Sequence, residues 1–208
     1  MSTAGTAALR PLVRRHRAPV AGRPVALLDR DGVLVRNLDG YVRDERDVVV
    51  LDGGRRGLEL LARAGVQVAV VTNQACVGKG LLDERRVLEV HDHVLASLGP
   101  AARCVVATYV CPHRADDGCP CRKPAPGMVH AALHDLGAGP DDAFLVGDAP
   151  GDVHAALAAG VRAHLVRTGR ATPDDVRALA PVARVAADLE AVVRHELARR
   201  DGRVTVDA

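Results

Sequence analysis

Five short apolar runs set the terms on which this chain can fold. They cover residues 25–29, 66–71, 104–110, 143–146 and 161–166. Between and after them lie stretches whose apolar residues recur at helical spacing, such as Val87, Val90, Val94 and Leu98. Helices are predicted over 52–64, 83–98, 127–136, 150–159, 173–180 and 186–199. Gly65, Gly99-Pro100, Gly137 and Gly160 supply the stops. Strands alternating with helices predict βαβ units and an α/β fold built on a mostly parallel sheet. With only 1% aromatic residues, its core must be filled by Val, Leu and Ala. A parallel sheet binds ligands beyond the carboxyl ends of its strands. That rule picks out the residues at the ends of these runs: Asp29-Arg30-Asp31-Gly32, Thr72-Asn73-Gln74, the segment 111–123 and Gly147-Asp148.

Asp29 and Asp31 are two residues apart at a strand end, so their side chains face one point and their repulsion must be offset. With Asp148 they make three carboxylates at converging strand ends, a set suited to Mg²⁺. Asp152 lies one helical turn further. It is read either as a water-mediated metal ligand, as the group that orients Lys123, or as a helix N-terminal carboxylate facing the dipole. A metal, a hydroxyl on Thr72 and a cation on Lys123 around two Asp describe phosphoryl transfer, where neutralising and positioning charge is most of the work. Asp29 is the candidate nucleophile. Asp31 is the candidate acid/base, protonating the leaving oxygen and then deprotonating water. The chain has 26 Arg and only two Lys, at 79 and 123, so a compact point charge kept at Lys123 stands out. Asn occurs only at 37 and 73; Asn73 falls within a strand-end motif and Asn37 does not.

Cys111, His113, Cys119 and Cys121 form a second constellation, three thiols and an imidazole within eleven residues. In a chain without an apparent secretory signal this pattern reads as a closed, structural Zn²⁺ site and not as a disulfide framework. The site runs directly into Arg122-Lys123, so zinc would fix a catalytic lysine. Cys104 reads as strand packing, and Cys76 falls in the loop after Thr72. The formal net charge of +2 points to neither nucleic acid nor membrane. Residues 1–23 carry five Arg and no acid, and are expected to be a disordered basic tail before a single domain over 24–208. A monomeric, cytoplasmic protein is expected, without a membrane span.

DRDGV at 29–33, VVTNQ at 70–74, CRKPAPGM at 121–128 and GDAPGD at 147–152 resemble, in order, the four motifs of the haloacid dehalogenase superfamily. The resemblance covers about 24–170. It implies a Rossmann-like three-layer sandwich and Mg²⁺-dependent phosphohydrolysis through an aspartyl-phosphate. It also implies that Mg²⁺ is held by Asp29, Asp148 and the backbone carbonyl of Asp31. No insertion large enough for a cap domain is visible. The CxH…CxC loop is similar to those of the heptose bisphosphate phosphatases and the histidinol-phosphate phosphatases. Asp39-Gly40-Tyr41 and the loop 75–80 resemble the first group, which implies a small sugar bisphosphate substrate losing its C7 phosphate. The second group gives the alternative substrate, histidinol phosphate. The alternative of another class is a zinc-stabilised sugar-phosphate binder without catalysis. By resemblance, Arg122 contacts substrate, and Asn73, Gln74, Asp39, Gly40, Tyr41 and Lys79 are further candidates. Ala149 stands where some relatives carry a basic residue, and Lys79 is the expected substitute for that charge.

Overall fold

The structure is a computed structural model, and it describes residues 9–202. Strands β1 (Leu12–Arg15), β2 (Val25–Leu28), β3 (Gln67–Asn73), β4 (Val105–Cys111), β5 (Ala143–Gly147), β6 (Arg162–Val166) and β7 (Arg184–Ala186) form one sheet. Its order is β1-β4-β3-β2-β5-β6-β7, and every pairing except β1 with β4 is parallel. Helices α1 (Asp52–Arg63), α2 (Glu84–Leu98), α3 (Gly127–Leu136), α4 (Pro150–Ala158), α5 (Pro173–Leu179) and α6 (Leu189–Arg200) cover both faces.

Strand alternation divides the core in two. Val25, Leu27, Ala69 and Val71 pack with Met128, Val129, Val153 and Leu179 under α3, α4 and α5. Ala26, Leu28, Val68 and Val70 face the other way, against Leu58, Leu61, Val94, Leu98 and Val192 of α1, α2 and α6. The result is the mostly parallel α/β sheet expected from the strand-helix alternation, in the three-layer sandwich that the resemblance implies. Gly57 makes the α1–α6 approach possible, because a Cβ there would lie 2.5 Å from Leu189 Cγ. Asp83 caps α2 by accepting from Arg86 N, at the start anticipated for this helix.

Two strands escape the sequence pattern. Leu12–Arg15 pairs antiparallel with β4, in register from Leu12↔Val110 to Arg15↔Ala107. The expectation of an unstructured tail is therefore corrected for these residues; residues 1–8 lie outside the described part. An edge strand needs only one apolar face, and here Arg14 and Arg15 pair with Asp92 and Asp135. That arrangement reads as a basic tail in the sequence. The three-residue β7 falls between the helices expected over 173–180 and 186–199 and takes the first residue of the second. The segments after β2 and β3 are short (29–51 and 74–83), and among the described residues no domain-sized insertion stands above the sheet.

Candidate active site

Strand β2 is where the sheet order reverses: β3 lies on one side of it and β5 on the other. The crevice beyond its carboxyl end is the preferred ligand site of such a sheet. Asp29, Asp31, Thr72, Asn73, Arg122, Lys123, Asp148 and Asp152 all line one cavity there, of about 140 Å³. Residues spread over more than 120 positions of sequence are thus brought together by the ends of β2, β3, β4 and β5.

Asp29 continues β2, with its N–H on Val146 O at 2.9 Å. Its Oδ1 accepts from Arg30 N at 2.8 Å and pairs with Lys123 Nζ at 3.1 Å. Its Oδ2 has no protein partner among the described residues. Lys123 Nζ also donates to Val71 O at 2.7 Å and pairs with Asp152 Oδ1. Burial alone would strip its charge, but Asp152 and Asp29 more than restore it, so its pKa is raised. Two of the readings held for Asp152 match its contacts: one oxygen pairs with Lys123, and the other accepts from Ala149 N at the start of α4, as a helix N-terminal carboxylate does.

Asp148 Oδ2 accepts from Asn37 Nδ2 and from Arg170 N, both at 2.9 Å. It lies against Gly32 (φ 82°), where any Cβ would collide with its carboxylate. Burial raises the pKa of Asp29 to about 6, with Lys123 opposing and Asp152 and Asp31 adding to the rise. Burial, then Asp29, raises Asp148 too. Oxygens of Asp29, Asp148 and Asp152 lie within 4.8 Å of one another, a group that can hold a metal ion. A largely buried group of carboxylates that outnumbers the neighbouring cations is what a hard divalent cation fits.

Asp31 turns its carboxylate sideways. Arg30 Nε donates to Oδ1 at 3.0 Å, and Arg30 Nη2 and Gln74 Nε2 donate to Oδ2 at 2.8 Å each. Arg30 is fully buried. The alternation that aims Asp29 and Asp31 at the cavity sends the intervening residue into the protein. That alternation is the one cue to Arg30 in the sequence.

Several expected substrate contacts land elsewhere. Gln74 is fully buried and absent from the cavity wall; its amide serves Asp31 and Thr72 Oγ1. Asn73 reaches the wall, but its amide makes a reciprocal pair with the Lys123 backbone: Asn73 Nδ2 donates to Lys123 O at 3.0 Å, and Lys123 N donates to Asn73 Oδ1 at 3.1 Å. Asp39 and Lys79 do not line the cavity, and Lys79 Nζ sits 5.4 Å over the Tyr41 ring. Gly40, Tyr41 and Arg122 do line it. Asn37 and Arg170 join the wall without having been expected there. The scarcity of Asn is a faint cue for the first, and nothing local marks the second.

Beside the cavity, Cys111, His113, Cys119 and Cys121 close into a cluster. The three Sγ atoms lie 3.4–3.6 Å apart, and His113 Nδ1 is 3.5 Å from Cys111 Sγ and 3.2 Å from Cys121 Sγ. Tetrahedral zinc with Zn–S near 2.3 Å requires S···S separations of about 3.8 Å. The four donors therefore fit a zinc ion with only a slight expansion.

A model of the HAD-hydrolase-like family matches residues 120–192. The D-glycero-beta-D-manno-heptose-1,7-bisphosphate 7-phosphatase of Pseudomonas putida is 33% identical over 168 residues, which span 81% of this chain and 96% of that protein. The protein of the same name from Vibrio cholerae is 36% identical over 77% of this chain and 90% of its own. The crystal structure of D,D-heptose 1,7-bisphosphate phosphatase from B. bronchiseptica, complexed with magnesium and phosphate, superposes with a TM-score of 0.75 at 31% identity. It covers 85% of this chain and 99% of that one. The chain belongs to the HAD-like hydrolases, in the family of these heptose bisphosphate phosphatases.

Proposed function

We propose that the protein is a Mg²⁺-dependent phosphatase that removes the C7 phosphate of D-glycero-D-manno-heptose 1,7-bisphosphate through an aspartyl-phosphate. The carrying observation is Asp29, which lines the cavity with its Oδ1 held by Arg30 N and Lys123 while its Oδ2 accepts no hydrogen bond among the described residues. In this reading Oδ2 attacks phosphorus, the P–O bond to the sugar breaks, and Asp31 delivers a proton to the leaving oxygen. Asp31 then takes a proton from the water that cleaves the aspartyl-phosphate. Its carboxylate must leave Arg30 and Gln74 to do so. Thr72 Oγ1 and Lys123 Nζ hold the phosphoryl oxygens. Asp29, Asp148 and the Asp31 carbonyl would bind Mg²⁺, which supplies neutralisation of the phosphoryl charge. Asp152 keeps Lys123 in place. Cys111, His113, Cys119 and Cys121 would bind structural Zn²⁺, anchoring Arg122 and Lys123. Thiols that are all free, among them this cluster, suit the reducing cytoplasm. No helix among the described residues is long and apolar enough to cross a membrane.

The cavity walls also favour a bisphosphate over histidinol phosphate. Arg122 and Arg170 line the cavity, and neither guanidinium is paired with a carboxylate among the described residues. With the carboxylates engaged by Mg²⁺, Lys123 and Arg30, these two arginines suit a second phosphate better than an ammonium group. A pure binding protein would need neither the free nucleophile nor the acid/base. The test is phosphate release by Mg²⁺-loaded protein from the heptose bisphosphate, histidinol phosphate and a set of sugar monophosphates. The bisphosphate is expected to be hydrolysed fastest. Faster turnover of histidinol phosphate would replace this reading, and release from none of them would favour the binder.

A further inference from the structure

The loop after β6 contributes an arginine, Arg170, to the cavity wall from a part of the chain that none of the expected motifs includes. Its backbone is clamped to two of them. Thr168 Oγ1 donates to Gly32 O at 2.5 Å, Arg170 N donates to Asp148 Oδ2 at 2.9 Å, and Ala171 N donates to Asp148 O at 2.8 Å. Gly169 packs so tightly on Asp148 that a Cβ there would overlap its carboxylate. Arg170 is thus mounted on a segment tied to the base of the site. Arg170 lines the cavity, its side chain is exposed, and its guanidinium forms no ion pair or side-chain hydrogen bond among the described residues. The neighbouring wall position after Asp148 is Ala149, which brings only a methyl group.

The cavity's size indicates what such a cation is for. At about 140 Å³ it is well below the roughly 300–1,000 Å³ that encloses a drug-sized ligand. It takes the reacting phosphoryl group and leaves the rest of a phosphorylated sugar across the mouth. Arg122 follows β4 and Arg170 follows β6, which lie on opposite sides of β2 in the sheet. The two residues therefore reach the cavity wall from segments that follow strands on opposite sides of β2. A planar fork from each side suits a tetrahedral dianion bridging them.

We propose that Arg170 is a specificity-determining residue, binding together with Arg122 the non-reacting phosphate of a sugar bisphosphate. This role, expected of Lys79, falls instead to a residue after β6. The inference rests on the bisphosphatase reading. The experiment compares wild type, Arg170→Ala, Arg170→Lys and Arg122→Ala on a sugar bisphosphate and on the matching monophosphate that carries only the reacting phosphate. Wild type is expected to prefer the bisphosphate. Arg170→Ala is expected to reduce that preference in kcat/KM by about tenfold or more, mostly through a higher KM for the bisphosphate. Arg170→Lys is expected to recover part of it, as a point charge without the fork. In the same proteins, inhibition by the product that retains its phosphate should weaken more than inhibition by inorganic phosphate. An Arg170→Ala enzyme with undiminished preference and unchanged product inhibition overturns the role of Arg170 and leaves the bisphosphatase reading standing. A wild type with no preference for the bisphosphate overturns both. Should Arg170→Ala fail to fold, Arg170→Gln and Arg170→Lys carry the same comparison.

Discussion

Two neighbouring residues divide the local chemistry. Asp29 carries the free oxygen of the site, so Asp29→Asn is expected to lower turnover at least about a thousandfold. Its zinc content should match wild type by elemental analysis, since the thiol cluster does not touch Asp29. Arg30 has a different burden. Its guanidinium is fully buried and is matched by the Asp31 carboxylate through two parallel hydrogen bonds. Removing one member of a buried pair leaves the other uncompensated, at a cost of about 3–5 kcal/mol. Arg30→Met should therefore lose stability of that order in urea unfolding. The double variant Arg30→Met/Asp31→Asn should lose less than the sum of the single losses, because it leaves no orphaned charge.

At the scale of elements, the loop after β4 and the packing of α6 on β6 each make a testable unit. The 111–123 loop is tied to β3 by the Asn73–Lys123 amide pair and to itself by the Cys/His cluster. If this cluster holds the proposed zinc, stripping the metal should loosen the second tie, displacing Arg122 and Lys123 and lowering kcat several-fold or more. Comparing activity with measured zinc content during chelation and reloading checks this. In α6, Glu196 is buried against Arg162, Arg199 and His164, with the imidazole Nε2 at 2.9 Å. Burial would raise its pKa, but the hydrogen bond from His164 and the charges around it bring it down to about 2, from an ordinary 4.5. A folded pKa below the unfolded one means stability that is present above about pH 4.5 and is lost as pH falls towards 2. The contribution is roughly 3 kcal/mol. Thermal melts across about pH 2–7 should show this loss in wild type, and Glu196→Gln should flatten that part of the curve.

At the scale of the molecule, β1 converts β4 from an edge into an interior strand. His16 Nε2 lies 3.0 Å from Thr108 Oγ1, which in turn lies 2.6 Å from the buried His91. Deleting residues 1–17 would expose the backbone of β4 and break these contacts. Tm should fall by roughly 2–4 °C for each kcal/mol lost in a chain of this size. Turnover per folded molecule should persist, because β1 contributes nothing to the cavity wall. A calorimetric scan paired with phosphate-release assays separates the two effects.

The strand-helix alternation, the crevice at the strand ends and the Cys/His cluster are legible in the chain itself; of the acidic cluster Asp29 and Asp148 are, while Asp152 takes the place expected of the Asp31 carboxylate. Those features are local: a buried parallel strand is a run of apolar residues, and an Asp, Thr or Lys at its carboxyl end inherits its position from that run. Side-chain partnership is not local. Gln74, expected to touch substrate, is instead spent on Asp31. Arg30 disappears into the interior between two visible carboxylates, and β1 has the sequence of a charged tail. Asn37 and Arg170 reach Asp148 only because β2, β5 and β6 lie side by side. Periodicity records which face of an element is buried; which polar group meets which is decided when distant loops close over the same strand end.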